Sequence, residues 1–139
     1  MFIDRLVIIR NHLQNNVQDD DFSIATWAGS IKRPWNGNSN LCGTVACIIG
    51  HATTIPEFQE LGFRLKKFLD SSGNYTAEIY FNGYHGRYAI VKFLDMPYDD
   101  VEYLFYMSEY PNKMNASREE VISRIDSYLR ANGYKGLLS

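Results

Sequence analysis

The chain has 139 residues, 45% apolar and 22% charged, with a formal net charge of −2, a length and balance that suit one folded domain over residues 1–139 and argue against disorder. Its fourteen Lys and Arg are scattered, not striped, which excludes a binder that tracks nucleic-acid phosphates; its sixteen Asp and Glu form brief clusters, short of the carboxylate field a DNA mimic needs. No apolar stretch is long enough to cross a bilayer and the N-terminus reads as an amphipathic helix, so the expectation is a cytoplasmic protein, off the membrane, with both cysteines as thiols.

Ile3, Leu6, Val7 and Leu13 recur at helical spacing and predict a first helix that gives way to the polar stretch 15–21. A short helix is expected over residues 23–27, then a polar loop over 29–40 in which Pro34, Gly37 and three Asn surround Trp35. Asn38, Ser39 and Asn40 are good helix starters, so the next helix is expected to open at Cys42 and run through Cys47 to His51. Thr54 as cap and Pro56 at the first helical position start another, which stops at Gly62.

Beyond residue 63 the rhythm changes. Residues 63–69 and 75–81 flank the turn-forming quartet 71–74 and predict an antiparallel β-hairpin, with Ala77, Ile79 and Phe81 on its buried face. Helical spacing returns over 88–94; Asp95 then reads as the cap of a helix with Pro97 in its first turn and Val101, Leu104 and Phe105 inside. Tyr110-Pro111 breaks that helix. Ser117 and Glu120 form a capping box for a last helix through Val121, Ile122, Ile125 and Leu129, ended by Gly133. The fold class is α+β, mainly α, with several short helices packed around one antiparallel β-hairpin.

Residues 42–52 bring both cysteines and one of three histidines into one run, and three readings fit it. In the first, Cys47 packs as a small hydrophobe. In the second, Cys42 at a helix N-terminus is a thiolate nucleophile, with His85 on the hairpin edge as base and Asp95 or Asn82 to orient the imidazole; such a reaction would be a thiol-dependent hydrolysis or transfer. The segment from Cys42 to Cys47 resembles the nucleophile segment of papain-like cysteine peptidases over about six residues. In the third, Cys47 and His51 four apart on one helical face hold zinc, with Cys42 and His85 or His12 completing the set; the spacing matches no standard zinc pattern, and no metal or cofactor is assigned. The same helix start at Cys42 would also suit a small anionic ligand.

The string Cys42-Gly43-Thr44-x-x-Cys47-x-x-Gly50-His51-Ala52, followed by Pro56-Glu57-Phe58, a hairpin and Pro97-Tyr98-Asp99-Asp100, is similar to a family of small proteins of bacteriophages and bacteria, over residues 23–129. The resemblance implies a phage-type accessory protein in the host cytoplasm. Family members that carry tryptophan where His51 stands imply packing, not chemistry, at that position. Such a protein acts by binding, as an inhibitor or modulator of a host or defence protein. Ten tyrosines exceed what a core of this size takes in, so Trp35, Tyr80, Tyr84, Tyr98, Tyr106 and Tyr110 are the candidate binding residues. The hairpin edge permits pairing with a second copy.

Overall fold

A computed structural model describes residues 1–24, 47–69, 71–73 and 75–136. The described chain is α+β and mainly α: six α-helices and a three-stranded antiparallel sheet. Helix α1 (Ile3–Asn16) buries Leu6, Ile9 and Leu13, with Ile3 and Val7 part-buried beside them. A 3-10 turn (Asp19–Asp21) follows. The expected loop over 29–40 and most of the expected helix at 23–27 lie outside the described residues.

Helix α2 (Ile48–Ala52) has every residue buried, and α3 (Pro56–Glu60) starts on Pro56 as expected. Thr54, however, does not cap α3. Its hydroxyl instead donates to the His51 carbonyl at 2.6 Å, closing the end of α2, and Ile55 takes the cap position. At Gly62 the backbone takes φ +90°, a left-handed value that a side chain would oppose, and turns into the sheet.

Strands β1 (Arg64–Leu69) and β2 (Tyr75–Phe81) pair with Arg64 opposite Tyr80 and Leu69 opposite Tyr75. The sheet goes one strand beyond the expected hairpin. Asn82 and Gly83 both take positive φ, 51° and 87°, the two-residue type I′ turn that suits the strand twist, and they return the chain as β3 (Tyr84–His85).

Helix α4 (Gly86–Leu94) lies on β2 and turns Ala89, Ile90, Phe93 and Leu94 inward. There the Phe93 ring stacks on Phe63 at 4.1 Å and meets Phe58 and Phe81 edge-on at 4.8 and 5.1 Å. Each buried phenyl contributes about 2 kcal/mol of transfer free energy, so this quartet locks α3, the sheet and α4 together. Helix α5 (Tyr98–Phe105) buries Val101, Leu104 and Phe105, the expected face.

Helix α6 (Arg118–Ala131) opens on the expected capping box: the Glu120 N-H donates to Ser117 Oγ at 3.1 Å, and the Ser117 N-H donates to the Glu120 carboxylate at 3.3 Å. It closes at Gly133 (φ +87°), where the Gly133 and Tyr134 N-H groups donate to the Arg130 and Leu129 carbonyls. Arg118 ties this helix to the end of α1, donating to the orphan carbonyls of Leu13 and Gln14 and to Asp19. No described helix is long and apolar enough to cross a membrane.

Candidate functional site

Cys42 and Trp35 lie outside the described residues. Cys47 is described, and it corrects the expected helix. Its backbone is extended (φ −75°, ψ 174°) and it sits just before Ile48 as the cap of α2, its thiol accepting from the Gly50 N-H at 3.4 Å. A single helix from Cys42 through His51 is therefore not formed: the helix that carries His51 starts at Ile48, and Cys42 is not its first residue. The Cys47 thiol is not joined to another sulfur and is only 2% exposed. Burial pushes it up to about 11, so it stays protonated at neutral pH and packs, a poor nucleophile and a poor metal ligand.

His51 is buried, and its Nε2 lies 2.7 Å from the Asp21 carbonyl oxygen. A carbonyl only accepts, so Nε2 carries a proton and is committed to this bond. Cys47 stands at the cap rather than inside the helix, and its thiol is taken up by the Gly50 N-H. Among the described residues no group of three His, Cys, Asp or Glu could hold a metal ion.

His85 is exposed, at the cap position of α4, with its ring edge-on to Tyr80 at 5.3 Å. Asp95 ends the same helix. The nine residues of α4 lie between them, ten steps and a rise of about 15 Å, so Asp95 does not orient the His85 imidazole. Nor does Asp95 cap α5: it takes left-handed φ 51° as the C-cap of α4, and its carboxylate meets the Met1 amine at 3.2 Å. Asn82, the other expected orienting group, serves the type I′ turn. The expected catalytic set of Cys42, His85 and Asp95 thus loses its third member.

The candidate aromatic residues divide among three places. Tyr110 is buried, 3% exposed, with its hydroxyl donating to the Leu104 carbonyl, so it is core and not a contact residue. Tyr80 lies on the outer sheet face, opposite Arg64 and His85 in neighbouring strands, with the Lys66 ammonium 4.0 Å from its ring. Tyr84, Tyr98 and Tyr106 form a third group, joined by a residue that was not among the candidates, Tyr88.

Tyr88 and Lys92 are one turn apart on the outer side of α4, because the phase that buries Ala89, Ile90 and Phe93 turns them outward. That phase was readable in the sequence. Lys92 reaches the Tyr84 ring (5.1 Å), and the Tyr88 ring meets Tyr98 of α5 (5.3 Å). Arg87 continues the line, donating to the Tyr98 hydroxyl at 3.0 Å, lying over the Tyr106 ring at 4.2 Å and pairing with Glu102 at 3.3 Å. The bond to Tyr98 raises the Arg87 pKa, so its charge is secure. Burial raises the Tyr106 pKa although Arg87 opposes it, so its phenol stays neutral. Tyr88 is 60% and Tyr84 41% exposed, while Tyr98 and Tyr106 are half-buried and fixed by their partners.

This arrangement sets four tyrosines side by side with two cations laid among them, wide aromatic faces with hydroxyls at the rim. No family model, curated protein or solved structure matches the chain.

Proposed function

We propose that this chain is a phage-type accessory protein that acts by binding, and that the row Tyr84, Lys92, Tyr88, Tyr98, Arg87 and Tyr106 is where it engages a host or defence protein, inhibiting or modulating it. The observation that carries this reading is the exposure of Tyr88 and Tyr84 beside ordered neighbours. Tyrosine and arginine dominate the energetic centres of protein interfaces, and side chains already held in place lose little entropy on docking.

The test is quantitative capture from bacterial lysate on the immobilised chain, comparing wild type with Tyr84→Ala/Tyr88→Ala and with Tyr103→Ala. Tyr103 is equally exposed at 48% but packs beside Arg124, away from the row. A specific partner should fall about tenfold or more with the double variant and stay with Tyr103→Ala. Equal retention by all three removes the row as the binding surface.

A further inference from the structure

Asn82 and Gly83 hold the turn between β2 and β3 at φ 51° and 87°. An Asn followed by Gly is also the pairing in which a side-chain amide reacts most readily with its own backbone, because no Cβ on the next residue shields that residue's nitrogen. The chain contains three such pairs. Asn36-Gly37 lies outside the described residues. Asn132-Gly133 closes α6 with both reacting groups engaged: the Asn132 side-chain amide donates to the Tyr128 carbonyl at 2.8 Å, and the Gly133 N-H donates to the Arg130 carbonyl at 3.0 Å. Asn82-Gly83 differs on each count. Both residues are exposed, and among the described residues neither the Asn82 amide nor the Gly83 N-H has a hydrogen-bond partner. The strand that follows, β3, consists of two exposed residues, paired as Tyr84 with Phe81 and His85 with Tyr80. A hairpin end held by so few pairs opens locally at small cost, and opening gives the rotation that brings the Gly83 nitrogen onto the Asn82 side-chain carbonyl carbon.

We infer that Asn82 is a site of spontaneous deamidation and isoaspartate formation, an ageing point built into the turn. The Gly83 nitrogen gives up its proton to hydroxide and attacks Asn82 Cγ; the new N–Cγ bond closes a five-membered imide as the bond from Cγ to the side-chain nitrogen breaks and ammonia leaves. Water then opens the imide. Opening at Cγ gives aspartate at position 82. Opening at the backbone carbonyl gives isoaspartate, in which the main chain runs through the side-chain methylene and is longer by that group. Aspartate still accepts a left-handed φ, whereas a longer backbone does not fit a two-residue turn, so isoaspartate costs β3 its register against β2. Tyr84 lies on β3 with its ring 5.1 Å from the Lys92 ammonium, and the loss of register takes it away from α4. The conversion is a property of the turn and does not depend on the tyrosine row being a binding surface.

The experiment is peptide mapping by mass spectrometry after the folded full chain has been incubated at mildly alkaline pH, with isoaspartate read by methyl transfer from an isoaspartate-specific methyltransferase. In the folded chain Asn82 should convert about tenfold or more faster than Asn132. In denaturant, where each is simply an Asn before a Gly, the two rates should agree within about twofold. Amide hydrogen exchange at Tyr84 and His85 should speed up as isoaspartate accumulates. It should stay constant over the same incubation in Asn82→Gly, which keeps the positive φ and removes the reacting amide. Conversion of Asn82 no faster than that of Asn132 in the folded chain overturns the inference. So does isoaspartate at position 82 with unchanged exchange at Tyr84 and His85.

Discussion

Arg10 and Asp126, 116 residues apart, meet through two parallel hydrogen bonds, Nε to Oδ1 at 2.7 Å and Nη2 to Oδ2 at 3.0 Å, and so join α1 to α6. Both side chains are only 13% exposed. Asp126→Ala would leave a largely desolvated guanidinium short of its partner and should cost about 2 kcal/mol, more than an exposed pair is worth. Denaturant unfolding of the two single variants and the double variant checks this. Additive effects of Arg10→Ala and Asp126→Ala would show that the pair is not coupled.

His12 ties acid sensitivity to the contact between α1 and α2. It is half-buried, with Nε2 3.4 Å from the Thr54 hydroxyl and Nδ1 3.3 Å from the Asn16 amide, and burial first, then the charge of His51, lowers its pKa below 6.5. A lowered folded-state pKa means that the unfolded chain binds the proton more tightly. The stability it contributes is complete above about pH 6.5 and is lost as the pH falls toward the folded value. His12→Asn should flatten the fall of unfolding free energy between about pH 7 and pH 5. An unchanged slope would place the acid-sensitive group elsewhere.

Cys47 works at the opposite end of the scale. Its thiol is raised from 9.0 to about 11, so its contribution is complete below pH 9 and declines as the pH rises toward 11, by about 3 kcal/mol at most. Cys47→Ala should remove that share of the alkaline loss. Peptide mapping after alkylation at mildly alkaline pH should find Cys47 unmodified until denaturant is added; rapid native labelling would contradict its burial.

Tyr110 illustrates a phenol that serves the interior. Its hydroxyl donates to the Leu104 carbonyl at 2.6 Å, and the Arg124 guanidinium lies 3.8 Å from its ring. Tyr110→Phe keeps the ring and strands the carbonyl, which should cost about 1 kcal/mol; Tyr110→Ala should cost about 3 kcal/mol or more. Thermal and denaturant midpoints of the two variants should separate accordingly, and equal losses would mean that the hydrogen bond carries nothing.

Features set by local chemistry were legible before the structure. The Ser117 and Glu120 box, the stop at Gly133, the inner faces of α5 and α6, and the pairing of β1 with β2 follow from spacing and backbone preference, and they stand as read. What tertiary contacts decide was harder to read. Small apolar residues from Cys42 to Ala52 suit a helix everywhere and mark no start, and the start is set by a thiol, an unusual cap, held in place by burial. Asp95 has the chemistry of an N-cap but also tolerates the left-handed region, and the closing bond from the Met96 N-H to the Val91 carbonyl settles it as the end of α4. The Asn82-Gly83 pair is a strong hairpin signal, yet a strand as short as β3 has too few residues to show alternation. For the tyrosines, composition counts rings but cannot tell a wet hydroxyl from one paired inside, which is why Tyr110 and Tyr88 exchanged places.

Helix α4 keeps its stacked phenyl and its outward tyrosine on opposite sides, with no residue shared between the two tasks. Tyr88 or Lys92 can therefore be replaced without disturbing the interior that keeps the helix folded. That division of labour leaves the outward side open to change on a scaffold that stays still.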